Sequence, residues 1–480
     1  MEEFINFHPN IFSFFTLAIG YIYSICVEFM TTYKQPIQGK SFFLGGLLML
    51  AQTSYGQHIS HTTSNKVSLN LSEALNRLNE NSPYLIQARI QTEVAHEKVK
   101  EEKEIQLPDL DFHASYYRMS NMVEYQHADQ VVHYQTIPDI YDATVNIKMP
   151  LYQGGRIKIG IKQAEKRVEI AQLQEKQVYR EKAIEVIQTY LGICKLVALD
   201  SLLKETLKEQ NERLNLVSAF KKNGTITKEE VLQASLQCSN STLDILTNER
   251  NTKVLLNDLK TLLQIPERDT LLLDTKSALN TNRIELLIDK LQESASNREE
   301  VKIKQQATEI NELGYQAIKA STKPTLSLFG TFGYNYPNYM LFLFPPHPYL
   351  YSLGRIGIDM NFSISHLFKV KTKLAIAKQS IELSQVQEKI QNDAIQDAMY
   401  RRYMAWLETQ DKIMVIEKAI AQANENYRIL KQKYFNQMAL HTELMDADTA
   451  LFRTRYQLLS AKIDAVAKYY DLLYTSGQLN

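Results

Sequence analysis

Residues 413–434 read IMVIEKAIAQANENYRILKQKY, and the apolar positions in this stretch recur with a spacing of three, four, three, four. This spacing is typical of a coiled-coil seam, in which the apolar side chains face a partner helix. The seam comprises Ile413, Ile416, Ile420, Ala423, Tyr427, Leu430 and Tyr434. The same spacing occurs at Ile184, Ile187, Leu191, Cys194 and Ala198. The chain is therefore predicted to be built around long, paired helices.

Residues that break helices are scarce in the 480-residue chain. It has 16 glycines and 12 prolines, where average usage would give roughly 34 and 24. No proline occurs in the 115 residues between Pro150 and Pro266, and no glycine in the 119 residues between Gly357 and Gly477. A helix over residues 158–222 would be ~98 Å long. Such a length favours a bundle or tube over a compact enzyme.

Composition excludes several functional classes. The 54 basic residues balance 54 acidic ones, whereas a protein that binds nucleic acid normally has a basic excess. Cys26, Cys194 and Cys238 do not have the spacing of a zinc site or a disulfide framework. Cys194 is interpreted as a small core residue. The sequence has no nucleophile elbow, phosphate loop, HExxH or GxGxxG motif, so we predict no enzyme activity, no cofactor and no metal site.

The N-terminus has the features of a secretion signal. Residues 42–51 form a short apolar run after Lys34 and Lys40, and Ser54 and Gly56 supply small residues before a cleavage site. We predict a signal peptide at residues 30–56, beginning at Met30, preceded by an untranslated leader or N-terminal extension at residues 1–29. The alternative is a transmembrane anchor within residues 11–27. No lipid anchor is predicted.

The remaining sequence is interpreted as two copies of one plan. Residues 82–83 align with 298–299, 108–116 with 324–332, and 230–234 with 443–447, with offsets between 211 and 216. Repeat one is predicted to span residues 67–280 and repeat two residues 281–480, with a boundary near residues 280–282. Each copy is predicted to contain a helix, a β-hairpin and a long helical hairpin. In copy one the first helix is predicted over residues 69–106.

Each copy contains two segments in which apolar and polar residues alternate, which is the pattern of a strand. They lie at residues 110–116 and 145–151 in copy one, and at 326–332 and 356–364 in copy two. Strands of about 9–11 residues can cross a bilayer when tilted. The alternation leaves two interpretations open, which are membrane strands and soluble hairpins beside a helical body.

Several motifs accompany these segments. Each first strand is entered through a proline, at Ile105–Pro108 and Ser321–Pro324. Residues 149–155 read MPLYQGG, with a glycine pair that residues 363–366 lack. The helical hairpins turn at NGTITKEEVLQA (223–234) and NQMALHTELMDA (436–447). Together with the repeat, these motifs resemble the TolC-like outer-membrane factors over residues 67–480.

The resemblance implies a mainly α protein with a membrane β-barrel contribution. Each protomer of a homotrimer would give four strands to a shared 12-stranded barrel and long helices to a periplasmic tunnel. The expected function is the exit duct of a tripartite efflux pump or type I secretion system in the outer membrane. The implied partners are outer-membrane lipid, a periplasmic adaptor protein and an inner-membrane transporter, with no nucleic acid. The alternative is a coiled-coil scaffold of the periplasm without a pore.

The resemblance also implies functional residues near the hairpin turns. The entrance constriction falls on Glu230, Tyr434, Glu443 and Asp446. The adaptor-docking tip falls on Asn223, Gly224, Thr225, Ile226, Gln437, Met438, Ala439 and Leu440. Ala439 stands where the family has an arginine that locks the closed entrance, so Lys228 or His441 is the candidate replacement. The sequence pattern alone also fits a structural role for Glu230, Glu443 and Asp446. In that role they are solvated residues of a first helical turn that stabilise the positive end of the helix dipole.

Overall fold

The computed structural model describes residues 66–127, 130–275, 288–338 and 348–479. Two compact units are present. Among the described residues, one unit covers 107–151 and 326–360, and the other covers 66–106, 152–325 and 361–479. The predicted leader, the signal peptide and the boundary between the copies lie outside the described residues. Residues 339–351, which read YMLFLFPPHPYLY and are unusually apolar for a loop, also lie mostly outside them.

The second unit is helical. It contains β1 (Lys66–Leu69), α1 (Leu71–Asn81), α2 (Pro83–Glu104), α3 (Arg156–Lys222), α4 (Lys228–Leu262), β6 (Thr270–Leu273), α5 (Ile288–Ser296), α6 (Glu299–Ala320), α7 (Ile364–Phe435) and α8 (His441–Ser476). The first unit is made of strands. It contains β2 (Asp109–Arg118), β3 (Met122–His127), β4 (Gln130–Tyr134), β5 (Asp139–Tyr152), β7 (Thr325–Tyr336) and β8 (Tyr351–Asn361).

The predicted long helices are confirmed. Helix α3 has 67 residues and α7 has 72 residues, which correspond to about 100 and 108 Å along the helix axis. Helix α3 pairs with α4, and α7 pairs with α8. Every residue of the predicted seam on α7 is buried or half-buried, whereas the positions between them are mostly exposed. The three-four spacing therefore identified the packed face of α7.

The largest hydrophobic core lies around the middle of α3. Fully buried side chains there include Val186, Ile187, Tyr190 and Leu191, packed with residues of α1, α4 and α8. The Tyr190 hydroxyl lies within donor distance of two backbone carbonyls, that of Leu69 at the end of β1 and that of Asp274 directly after β6. Cys194 belongs to this core, as predicted. Helix α3 also contains an 18-residue window apolar enough to cross a membrane by length and composition, and packing in this core explains its apolar character.

The prediction of one continuous helix over residues 69–106 was wrong. Residues 66–69 form β1, which pairs in parallel with β6, and the helical segment is divided at Ser82. Asn70 starts α1 with a capping box, in which its side chain accepts from the Glu73 backbone and Glu73 accepts in return. Ser82 is extended because a residue that precedes proline is driven out of the helical region, and Pro83 then begins α2.

The strand unit contains a four-stranded sheet with the order β2-β5-β7-β8. Its two central strands come from different halves of the sequence. In the antiparallel β2–β5 pair, Leu110 lies opposite Ile147 and Phe112 opposite Val145. Residues directly opposite each other share a face, so these pairs form an apolar face. The other face is polar, with Asp109 opposite Lys148 and three further polar pairs.

Two details of the strand segments differ from expectation. A separate antiparallel hairpin, β3–β4, lies between β2 and β5 and was not predicted. Ile364, expected at the end of a strand, is the first residue of α7. The segment that follows β5 also differs in backbone conformation from the segment that follows β8. Gly154 and Gly155 have φ values of 66° and 94°, and a Cβ at Gly154 would lie 2.5 Å from the Ala320 carbonyl oxygen. The segment after β8 instead has Ser363 in an extended conformation.

Candidate gating site at the helical hairpin turns

The two hairpin turns bring a tyrosine and a carboxylate into contact. The Tyr434 hydroxyl, in the last turn of α7, donates to Glu230 Oε2 of α4 at 3.0 Å. Tyr434 is buried and Glu230 is half-buried. Burial raises the pKa of Tyr434 to about 12, and the hydrogen bond to Glu230 acts in the same direction. The phenol therefore remains a neutral donor at neutral pH, and we call this contact the tyrosine latch.

A buried ion pair joins the same two hairpins. Arg213 Nη1 of α3 donates to Asp448 Oδ2 of α8 at 2.9 Å, and Arg213 Nη2 donates to the Tyr427 hydroxyl of α7 at 2.9 Å. The side chains of Arg213 and Asp448 are only 6% and 7% exposed. Gln237 of α4 also donates to Asp448, at 3.4 Å. Side chains from α3, α4, α7 and α8 thus meet at one point, which we call the arginine cluster.

The charge of Arg213 is strongly stabilised. Burial acts to lower the pKa of its guanidinium, but the hydrogen bond and the charge of Asp448 outweigh burial, so the pKa is raised. Charge-assisted bonds of this kind are roughly twice as strong as neutral ones. The pair therefore acts as a fixed, desolvated tie between the hairpins.

The arginine cluster was missed in the sequence analysis. At the offset of 213 that aligns the two turns, Arg213 corresponds to Asn426 and Asp448 to Ser235. The pair has no counterpart in the other copy, so the alignment gave no signal for it. Arg213 also lies in a polar stretch, KEQNERLN at residues 208–215, where a charged residue is unremarkable. Only its burial distinguishes it.

Neither proposed replacement for the missing arginine pairs with an acid in the described contacts. Lys228, the first residue of α4, is exposed. His441, the first residue of α8, is the residue that aligns with Lys228 at the offset of 213. It is buried, with a relative exposure of 5%. Its ring centroid lies 5.6 Å from that of Tyr434. The cation that joins the hairpins is Arg213 instead.

The other predicted constriction residues lie apart from the tyrosine latch. Glu443 and Asp446 are both exposed on the first turns of α8. The Glu443 carboxylate accepts the backbone N–H of Leu440 at 3.0 Å. Glu443 therefore has the helix-terminal role that its sequence position allows. Of the four predicted constriction residues, the structure brings Glu230 and Tyr434 together.

The predicted tip residues form two exposed turns. Gly224 has φ 75° and Gln437 has φ 60°, so both turns use a left-handed residue to reverse the chain. Met438 and Leu440 are each 68% exposed, although apolar side chains are normally covered. Two exposed apolar residues at one turn are a feature of a contact surface.

Comparisons with known proteins agree with this architecture. Residues 74–263 match the sequence model of the outer membrane efflux protein family. A comparison with curated protein sequences found no match. Among solved structures, the outer membrane protein VceC from Vibrio cholerae has a TM-score of 0.69 at 16% identity, with 85% of this chain and 96% of VceC covered.

Two further structures show the same fold. The CmeC outer membrane channel of Campylobacter jejuni has a TM-score of 0.68 at 14% identity, over 91% of this chain and 95% of CmeC. The transmembrane channel CusC has a TM-score of 0.69 at 16% identity, over 85% of this chain and 91% of CusC. Residues 74–263 are thus similar to the outer membrane efflux protein family, and the chain has the mainly helical fold of the solved outer-membrane channels.

Proposed function

We propose that the protein is the outer-membrane exit duct of a tripartite efflux pump or type I secretion system. Three copies would close a 12-stranded barrel from their four-stranded sheets and a periplasmic tunnel from their helices. An inner-membrane transporter and a periplasmic adaptor would deliver the substrate. The observation that carries this proposal is the open sheet β2-β5-β7-β8, which has one apolar and one polar face.

The exposed residues of the sheet support a membrane location. Edge strand β8 exposes Ile356, Ile358 and Met360 by 78, 65 and 63%. Edge strand β2 exposes Leu110, Phe112 and Tyr116 by 54, 46 and 54%. In a bilayer, unpaired backbone groups at these edges would cost several kcal/mol each, so the edges must be covered. Pairing β8 of one copy with β2 of the next removes every edge.

The polar face suits a water-filled lumen. Thr331 Oγ1 of β7 donates to Asn146 Oδ1 of β5 at 3.0 Å, and Asn146 lies opposite Asp111 in the β2–β5 register. On the apolar face, the rings of Tyr116 and Tyr141 stack with centroids 5.1 Å apart. Polar interiors and aromatic residues near the interfaces are features of outer-membrane barrels.

The alternative is a periplasmic coiled-coil scaffold without a pore. The long helices fit both functions. A scaffold gives no reason for apolar residues on a sheet whose edges are open, whereas a shared barrel requires them. The oligomeric mass of detergent-extracted protein separates the two. The duct predicts three times the mass of the mature chain in the outer-membrane fraction, and a soluble rod of one or two chains would contradict it.

We propose that Glu443 and Asp446 form carboxylate rings at the tunnel entrance of the trimer. The residues are three positions apart on one helix, so they share a face. Replacing both by alanine is expected to reduce the cation selectivity of the channel, because rings of carboxylates favour cations. The reversal potential in a salt gradient measures this change. Glu408 and Asp411, exposed on α7, provide the matched control pair, and equal shifts in both variants would remove Glu443 and Asp446 from the entrance.

We also propose that the tyrosine latch holds the entrance closed. Replacing Tyr434 by phenylalanine removes the hydroxyl bond to Glu230 and leaves the ring packing in place. A hydrogen bond to a charged group contributes about 1.5–3 kcal/mol, and the half-buried Glu230 can recover part of that from water. The expected result is a channel that opens more often at neutral pH, measured in planar bilayers. Tyr400, exposed on α7, is the control position, and Tyr434→Phe channels that behave like Tyr400→Phe channels would rule out the latch.

The adaptor would dock on the two exposed turns. The residues proposed to contact it are Asn223, Gly224, Thr225, Ile226, Gln437, Met438, Ala439 and Leu440. Met438 and Leu440 supply apolar contact area, and the Gly224 turn adds no side chain that would keep a partner away.

A further inference from the structure

His441 is a buried titratable group without a hydrogen-bond partner among the described residues. Its side chain is 5% exposed, and both ring nitrogens are buried with no hydrogen bond. Buried polar groups in proteins are nearly always paired. His441 packs against Tyr434, which is the donor of the tyrosine latch. An unpaired imidazole therefore lies directly beside the contact that joins the two hairpins.

The groups that surround His441 come from all four helices. Arg213 of α3 and Glu230 of α4 both interact with it electrostatically, and α7 presents the neutral Tyr434. His441 is the first residue of α8, where the helix terminus carries a partial positive charge. The Glu443 carboxylate on the same helix is bonded to the backbone. Glu230 is thus the acid available to a protonated His441.

These surroundings favour the neutral imidazole. Burial lowers the pKa of His441 below its ordinary value, Arg213 adds to this effect, and Glu230 opposes it. A proton on the ring would make both nitrogens donors, and neither has an acceptor in this arrangement. The Glu230 carboxylate oxygen already accepts the Tyr434 hydroxyl. Protonation is therefore disfavoured by the packing that is present.

We propose that His441 is a proton-operated release for the tyrosine latch, so that acidification opens the entrance. A protonated His441 can gain a partner in two ways. It can take Glu230 from Tyr434, or it can leave the core for water and move the start of α8. Either of these changes separates the α7–α8 turn from α4. The inference rests on the proposed duct function and adds a regulatory group to its entrance.

The direction of the pH effect follows from the two states. His441 has a lowered pKa in the closed arrangement. Its pKa is ordinary when it is exposed to water and higher when it pairs with Glu230, so in both cases the closed state binds fewer protons. Falling pH therefore favours the open state. The increase begins near pH ~6.5, the ordinary histidine pKa, and reaches at most about tenfold per pH unit for each protomer. Carboxylates titrate near pH ~4, which separates their contribution.

The test is the open probability of the full-length protein, extracted from outer membranes and measured in planar bilayers between pH 7.5 and 5. Unmodified channels are expected to open more as the pH falls below about 6.5. His441→Phe keeps an aromatic ring against Tyr434, and His441→Leu keeps an apolar side chain. Both are expected to remain closed across this range. His96, which is exposed on α2, is the matched control, and His96→Phe channels are expected to retain the pH response.

The remaining outcomes distinguish a failure of this inference from a failure of the duct function. A pH response that persists in both His441 variants, or an unmodified channel that does not respond while Arg213→Ala channels conduct, overturns the inference and leaves the duct intact. If neither the unmodified protein nor the Arg213→Ala variant conducts at any pH, the duct function itself is contradicted. Conductance of the Arg213→Ala variant is therefore the positive control for the presence of a pore.

Discussion

Replacing Arg213 by alanine is expected to destabilise the observed arrangement of the hairpins by about 3–5 kcal/mol, the usual effect of removing one partner of a buried ion pair. Asp448, whose side chain is 7% exposed, would be left without its cation. The hydrogen bond to the Tyr427 hydroxyl would be lost as well. Since the arginine cluster joins α3 to α7 and α8, the expected consequence is a channel that is open for most of the time at neutral pH.

The measurement is the open probability in planar bilayers, together with the midpoint of unfolding in denaturant. Two controls separate the charge from the packing. Arg213→Met combined with Asp448→Leu removes both charges and keeps apolar volume, and such replacements are often neutral for stability. We expect the double variant to be more stable than Arg213→Ala. Lys412→Ala breaks the exposed pair with Glu408 and is expected to change stability by about 0.5 kcal/mol or less.

A contradictory result would be an Arg213→Ala protein with the stability and open probability of Lys412→Ala. That outcome would mean that Asp448 finds water or another cation without cost. The arginine cluster would then be a packing feature of the closed hairpins with no role in holding them together.

Replacing Ile358 by arginine is expected to prevent stable insertion into the outer membrane. Ile358 lies on the apolar face of β8 and is 65% exposed. A lipid-facing arginine costs about 2–4 kcal/mol at the bilayer midplane, and in a trimer the penalty applies three times. The expected result is loss of trimer from the outer-membrane fraction, measured by fractionation and native mass.

Asp359→Arg is the matched control, because successive residues of a strand point to opposite faces. Asp359 is the next residue of β8 and is exposed, so on the proposed account it faces the aqueous lumen. Arginine there should leave insertion unchanged. If Ile358→Arg and Asp359→Arg insert equally well, the apolar face of the sheet does not face lipid.

The helical part of the fold could be predicted because its signals are local. Helix α3 was expected over residues 158–222 and is observed at Arg156–Lys222, since a long stretch without proline can propagate a helix until a glycine turn ends it. The seam on α7 was predicted residue by residue from its spacing. The break at Ser82 was missed, although Pro83 indicates it, because the apolar periodicity continues across the break.

The contacts that join distant segments could not be predicted. Strand β1 pairs with β6 about 200 residues later, and four-residue strands carry too little pattern to be detected. Arg213 and Asp448 are 235 positions apart, and each is an ordinary charged residue in its own helix. Tyr434 and Glu230 were both named as constriction residues through the family resemblance, but their contact with each other was not predicted. The burial of His441 could not be predicted either, because Lys228, the residue that aligns with it in the other copy, is exposed.

The most direct test of the exit duct is the conductance of the protein extracted from outer membranes, with the oligomeric mass determined on the same sample. The account predicts a trimer that forms small, cation-selective channels, which the Arg213→Ala substitution converts into persistently open ones. A soluble rod that conducts neither before nor after this substitution would contradict the account and favour the coiled-coil scaffold.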